Sequence, residues 1–181
     1  MTHQIERKLT LVLMAGLPGT GKTTLATELG RELQWPVLNK DMLKLSLLQL
    51  GIEYHQAGRM TYDLIFKFAE DVLVRQQLSV ILDTSAHHPF ILENASRIAG
   101  VAHAQLKVVL CTATIAIRKL RHEQRSPNEL SSHHAEFLLI EDDLQFFTHL
   151  LCMDPLILDT INPLEECLAK AIAYLMKEEA E

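Results

Sequence analysis

Apolar positions along the 181-residue chain gather in short unbroken blocks, and helically patterned stretches lie between them. The blocks are Leu9 to Ala15 (LTLVLMA), Pro36 to Asn39 (PVLN), Ser79 to Leu82 (SVIL), Leu106 to Cys111 (LKVVLC) and Pro155 to Leu158 (PLIL). Continuous apolar runs of this length, rather than alternating ones, predict strands covered on both faces, as in a parallel sheet. From Gly21 onward Leu25, Leu29 and Leu33 recur every four residues, which predicts an amphipathic helix. A second helical stretch starts near Asp41 (DMLKLSLLQL), breaks around Gly51 to Gly58, and resumes from about Thr61 to Gln77 with Leu64, Phe68 and Val72 on one stripe. Pro89 to Ala99 predicts a helix stopped by Gly100, which accepts the left-handed conformation. A basic helix is expected from about Ala113 to Gln124, ended by Ser126-Pro127, and another from about Glu129 to His149. The last helix opens with Asn162 as N-cap, Pro163 in the first turn and Glu165 as capping-box acid.

Strands alternating with helices imply a three-layer α/β domain with a five-stranded parallel sheet, and residues 1–181 read as one domain without repeat or linker. Composition supports a single core, since 48% of the residues are hydrophobic. The net charge of −6 opposes broad attraction to nucleic acid or an anionic membrane. No apolar run approaches the roughly 20 residues of a membrane span. The polar start MTHQIERKLT is unlike a signal peptide, so a cytoplasmic location is expected and no membrane partner. Cys111, Cys152 and Cys167 are odd in number, distant and without CxxC spacing, which predicts three buried, reduced thiols rather than a disulfide or zinc site.

Chemistry concentrates first at Gly16-Leu17-Pro18-Gly19-Thr20-Gly21-Lys22-Thr23, which fits GxxxxGK[ST] with an apolar strand before it and a helix after it. The glycines of such a loop let backbone N–H groups converge on phosphate oxygens and the helix start adds a favourable dipole, which assigns Gly16, Pro18, Gly19, Thr20 and Gly21 to the nucleotide. Lys22 would reach the β and γ phosphates of ATP, the Thr23 hydroxyl would ligate Mg²⁺, and Thr24 would touch the α phosphate. No guanine-reading NKxD stands late in the chain, because Asn39-Lys40-Asp41 is early and has its acid one place too soon. Asp83 is followed by Thr84, Ser85 and Ala86 rather than by a water-activating Glu, which disfavours a hydrolytic motor.

A phosphotransferase needs a base near the acceptor, cations for the moving phosphoryl group and a cover against water. Asp41, just past the second strand at the carboxyl edge of the sheet, is either that base or the cap of the following helix. Asp83, ending the third strand, either supports the metal or closes a turn. Arg118, Arg121 and Arg125 share one face of the basic helix, and form either a phosphate-covering lid or a solvated charge run. Among nine histidines, His87 and His88 follow Asp83 closely enough to line an acceptor pocket. Neighbouring histidines on a strand or helix point apart, so neither that pair nor His133-His134 predicts a metal site. His122 is expected to be exposed, and Phe146-Phe147 and Leu138-Leu139-Ile140 to be core.

These motifs, GLPGTGKTTLA, NKDMLK, VILDTSAHHP, RHEQR and LILDTINPLEE in order, resemble the small P-loop kinase group. That group includes 5′-polynucleotide kinase domains, zeta-toxin, chloramphenicol phosphotransferase-like enzymes and AAA-type predicted kinases. The resemblance spans nearly the whole chain. It implies a P-loop NTPase fold with a small helical lid at about 113–135, a third strand beside the P-loop strand, and adenine against a loop at about Asp159 to Pro163. It further implies Asp41 as general base, Asp83 supporting Mg²⁺ and a lid arginine on the phosphates, with Arg125 the catalytic contact and Arg121 its companion. Lys44 falls where polynucleotide kinases carry an arginine for a substrate phosphate, and lysine lacks that bidentate fork. The expected function is ATP- and Mg-dependent transfer of the γ-phosphoryl group to a hydroxyl of a small molecule bound near Asp41, Lys44 and His87. The alternatives are a nucleotide-binding regulatory ATPase and a 5′-hydroxyl polynucleotide kinase. A nucleic-acid end as acceptor is disfavoured by the acidic total and by the lack of aromatic-basic interleaving.

Overall fold

The computed structural model describes residues 8–124, Phe137, Ile140 and residues 143–177. Five parallel strands form one sheet: β1 (Thr10–Ala15), β2 (Val37–Asn39), β3 (Val80–Asp83), β4 (Gln105–Thr112) and β5 (Leu156–Asp159). Their spatial order is β2-β3-β1-β4-β5, so β1 sits at the centre with β3 on one side and β4 on the other. Each strand lies within a residue or two of its apolar block. The reason is visible in β1, where every residue is buried and side chains alternate between faces. Leu11, Leu13 and Ala15 enter one core cluster, and Val12 and Met14 enter the other.

Two helical layers supply the other halves of those cores. Helix α1 (Lys22–Leu33) and the last helix, α7 (Leu164–Leu175), cover the Val12 and Met14 face with Leu25, Leu29, Cys167 and Ala171. Helix α3 (Tyr54–Glu70) and helix α4 (Pro89–Val101) cover the opposite face with Ile65, Ala69, Ile91 and Ile98. Helix α2 (Lys40–Gln49) lies between β2 and α3, α5 (Ile115–Glu123) follows β4, and a short α6 (Asp143–Phe146) leads into a 3-10 turn at Thr148–Met153. Phe147 and Leu150 are fully buried there, as core residues.

Several boundaries differ from the sequence expectation. The break between α2 and α3 ends at Glu53, whose carboxylate accepts the His55 and Gln56 amides and starts α3 before Gly58, so the glycine lies inside the helix. That helix is also shorter at its far end, passing at Glu70 into a π turn over Asp71–Arg75. Gly100 is helical rather than left-handed; α4 runs through it, and the left-handed residue is His103 with φ 50°. At α7 the Asn162 side-chain Nδ2 donates to Asp159 O at 2.9 Å and Pro163 occupies the cap position without a side-chain cap bond, one residue later than expected. The described end of the expected Glu129 to His149 helix is α6 and the 3-10 turn, not one continuous helix. The Ser126-Pro127 break and His133-His134 lie outside the described residues, as do Leu138 and Leu139. Cys111 and Cys167 are buried, whereas Cys152 is exposed, so not all three thiols are core. Among the described residues no helix is long and apolar enough to cross a membrane.

Candidate active site

The glycine-rich loop joins β1 to α1, and close approach of other backbone dictates two of its glycines. A Cβ on Gly16 would stand 2.3 Å from the Cys111 carbonyl oxygen, and one on Gly19 would stand 2.6 Å from the Arg118 carbonyl oxygen. The loop is thereby pressed against β4 and α5. Inside it, the Leu17 carbonyl accepts the Thr20 hydroxyl at 2.8 Å, the Thr20 amide at 3.3 Å and the Lys22 ammonium at 2.9 Å. The Gly16 amide donates to Ser85 O at 3.2 Å. Gly16 and Thr20 thus commit their N–H groups to the shape of the loop. Helix α1 begins beyond Gly21 with no side-chain cap, and first-turn amides have no acceptor within their own helix. With the helix dipole added, that terminus is a site for an anion.

Strand order brings the acids to this loop. Asp83 is in register with Met14 on one side and with Asn39 on the other. Asn39 Nδ2 donates to Asp83 Oδ2 at 2.7 Å, while Asn39 Oδ1 accepts the Met42 amide at 2.9 Å and caps α2. Of the two roles open to Asp41, the cap therefore belongs to Asn39. The Asp41 side chain, 52% exposed, pairs with Lys40 Nζ at 2.9 Å. Burial raises the Asp83 carboxyl above its ordinary pKa, against the pull of the Lys22 ammonium and a hydrogen bond from Thr23. A hydroxyl and a carboxylate in contact form a hard-oxygen donor pair, which fits Mg²⁺ better than a softer metal. Burial works to lower the Lys40 ammonium, but Asp41, Tyr62 and Tyr54 outweigh it and hold Lys40 above its usual value.

A cleft of about 450 Å³ joins these groups, and Pro18, Lys22, Thr23, Asp41, Lys44, Asp83 and His87 all line it. Lys44 is only 9% exposed and places Nζ 3.3 Å from the centroid of the Tyr54 ring. Burial and the nearby Lys40 charge lower its pKa to about 8. His87 Nδ1 lies 2.5 Å from the Ser85 hydroxyl. His87 and His88 belong to the loop before α4, not to a strand or helix, so their rings do not diverge but come 3.9 Å apart.

The arginines divide. Arg118 is fully buried, and its guanidinium donates to the carbonyls of Ala113, Phe137 and Ile140. It holds chain segments together instead of joining a phosphate-covering face, which corrects its place in the expected lid. Arg121 bridges the loop to the turn after β5, donating to Thr160 O at 2.7 Å, Thr160 Oγ1 at 2.9 Å and Gly19 O at 3.3 Å. Arg125 lies outside the described residues, as does the lid beyond residue 124. On this side of the loop a second cavity of about 440 Å³ is lined by Gly19, Gly21, Thr24, Arg121, Thr160 and Asn162.

Sequence reasoning missed Asn39, Lys40, Tyr54, Tyr62 and Thr160. Asn39 and Lys40 carried a signal, since they share with Asp41 the carboxyl edge of β2. Thr160 carried a weaker one, being inside the loop assigned to adenine. Tyr54 and Tyr62 carried none, because their place depends on how α3 packs over α2.

A family model for an AAA domain, AAA_33, matches residues 11–149. No curated protein matches the sequence. Among solved structures, the chain is similar to an APS kinase of Mycobacterium tuberculosis in complex with AMPPNP and APS, at TM-score 0.70 and 17% identity over 94% of this chain and 99% of that one. It is also similar to a sugar kinase from Janibacter at TM-score 0.62 and 18% identity, covering 93% and 94%. A gluconokinase from Sinorhizobium meliloti aligns at TM-score 0.60 and 17% identity, covering 94% and 93%. At these identities the likeness concerns the fold. Taken with a glycine loop that leads from the central strand into an uncapped helix, the match over most of its length makes this chain a member of the AAA_33 family of AAA domains, built on the P-loop NTPase fold.

Proposed function

We propose that the protein is an ATP- and Mg-dependent phosphotransferase that moves the γ-phosphoryl group to a hydroxyl of a small molecule. One observation carries this reading: Lys22 and Thr23 of the glycine loop line the same cleft of about 450 Å³ as Asp41. A nucleotide switch needs no second chamber opposite its terminal phosphate, whereas a transferase does. The solved kinases of the same fold support the reading, one of them named a gluconokinase and another a sugar kinase.

In this scheme the ATP phosphates lie over the start of α1, held by Gly19, by the amides from Gly21 to Thr24 and by the Lys22 ammonium. The nucleoside occupies the cavity between Arg121, Thr160 and Asn162. Thr23 and Asp83 would hold Mg²⁺, which neutralises charge on the transferring phosphoryl group. Asn39 keeps Asp83 aimed by its 2.7 Å bond and, as the cap of α2, fixes the position of Asp41. The acceptor oxygen attacks phosphorus in line, the bond to the ADP oxygen breaks, and the acceptor proton passes to the Asp41 carboxylate. Lys40 stabilises the charged form of that carboxylate. Arg125 is assigned to the phosphates and Arg121 to holding the loop on which they rest.

The test is ADP release with ATP and Mg²⁺ across sugars, sugar acids, nucleosides, aminoglycoside-type alcohols and 5′-hydroxyl oligonucleotides. Acceleration by a small alcohol supports the proposal. Labelling of oligonucleotides alone would establish the end-kinase instead. ATP binding that no acceptor accelerates would make the chain a regulatory ATPase.

A further inference from the structure

Among the described residues, Gln34, Gln77, Ala86, His103 and Asp154 have positive φ without being glycine. Gln34, Gln77, His103 and Asp154 follow the ends of helical segments and are exposed, where a single left-handed residue is ordinary. Ala86 is different. It comes after strand β3, close behind Asp83, and is fully buried with φ 51°. Alanine has no polar side chain to favour that conformation, which costs it roughly a factor of ten in population against ordinary backbone. Strain of this kind persists only where the surroundings over-determine it.

Here the deciding neighbour comes from far along the sequence. His149, in the 3-10 turn Thr148–Met153, places Nε2 3.0 Å from the Ala86 carbonyl oxygen. A carbonyl only accepts, so Nε2 carries the proton and donates it. On either side of Ala86 the chain is already pinned. The Thr84 hydroxyl donates to Met14 O at 3.3 Å, Ser85 O accepts the Gly16 amide at 3.2 Å, and His88 O accepts the Ile91 amide at 3.0 Å. Ala86 and His87 lie between these pins. The His87 ring, on the cleft wall, is 5.4 Å from that of Phe137, and Phe137, Phe146, Phe147 and His149 follow one another at centroid spacings of 6.1, 5.1 and 6.2 Å. One run of rings therefore holds the loop twice, by contact at His87 and by a hydrogen bond at Ala86.

Building on the phosphotransferase reading, we propose that His149 is a positioning residue for the acceptor site. It does not line the cleft itself. Its hydrogen bond selects the left-handed Ala86, and that conformation sets Ser85 against Gly16 of the glycine loop and brings His87 Nδ1 to the Ser85 hydroxyl. Alanine needs the bond to stay in this conformation. Glycine would not, because it takes positive φ without steric cost, so the two positions offer a rescue that simple packing of the His149 ring could not give.

The test is a mutant cycle read by amide hydrogen exchange, which needs neither acceptor nor turnover. His149→Phe keeps a ring and loses the donor. Exchange of the Gly16 amide should rise about tenfold or more in that variant, with the other β1 amides and those of β4 unchanged. His149→Gln, which keeps a donor, should stay near the parent. Adding Ala86→Gly to His149→Phe should bring Gly16 exchange back to within about threefold of the parent. For an acceptor that accelerates ADP release, KM should follow the same order, rising in His149→Phe and recovering in the double variant. Should His149→Phe not fold, nitrogen NMR of the parent decides, since an Nε2–H tautomer of His149 supports the bond and an Nδ1–H tautomer overturns it. Unchanged Gly16 exchange in His149→Phe, exchange raised equally across the sheet, or a loss that Ala86→Gly does not recover would each overturn the positioning role. Absence of ADP release with every acceptor would overturn the phosphotransferase reading alone, because amide exchange reads the loop without turnover.

Discussion

The two sides of the glycine loop are built from different material. On the nucleotide side, backbone does the work: amides at an uncapped helix start, glycines pressed against Cys111 and Arg118, and Arg121 tied to the carbonyls of Gly19 and Thr160. On the acceptor side, side chains from β3, α2, α3 and the loop before α4 converge, and most are charged or aromatic. A backbone site recognises what all its ligands share, here a polyphosphate. A side-chain site can change without disturbing the fold, which is how one scaffold serves many acceptors.

The sharpest way to break this contrast is at Asp41. Asp41→Asn should cut the rate of transfer by about 10²–10⁴ while leaving calorimetric ATP affinity intact, the usual range for losing a general base. A parallel loss of ATP affinity would merge the two sides. Next comes Arg118→Met, which leaves three carbonyls without their donor and should lower stability by about 3 kcal/mol in urea unfolding. If the variant were as stable as the parent, Arg118 would return to the lid. Thr160→Val should weaken ATP by about fivefold to tenfold, equivalent to roughly 1 kcal/mol, through loss of the hydroxyl that donates to Thr20 O at 2.8 Å. Acceptor affinity should not change, which a KM comparison for both substrates checks.

The smallest effect concerns pH. Lys44 titrates at about 8 when folded and near 10.5 otherwise, so the folded protein gives up this proton first. Two consequences follow, with opposite signs. Affinity for an anionic acceptor should fall as pH rises through about 8, because the ammonium is lost, and Lys44→Arg should flatten that profile. The contribution of Lys44 to stability should instead increase between about 8 and 10.5, since there the unfolded chain binds more protons. KM against pH and urea midpoints at the two ends of that window measure them separately.

Much of the first side was legible in the chain. GLPGTGKTT between an apolar block and a leucine stripe fixes a strand, a turn and a helix by local rules alone, and all three stand where expected. The five strands were legible as short apolar runs, but burial on both faces holds for the inner strands such as β1 and not for the edges, where β2 is half-buried and β5 leaves Ile157 exposed. Less legible were ends set by one side chain. Glu53 starts α3 ahead of Gly58, and Asn39 takes the cap that was open to Asp41. Arg118 showed the limit of spacing arguments: it falls on one helical face with Arg121, yet turns inward because three carbonyls await it.

The sequence by itself determined the layered sheet, the phosphate loop and the edge at which the acids gather, since each follows from the period of its own short segment. Tertiary structure alone decided that Lys44 is buried against Tyr54, that Asn39 joins Asp83, and that Arg118 turns inward onto three carbonyls. Those contacts unite residues far apart along the chain, and their energies depend on distance and burial, which no local pattern encodes.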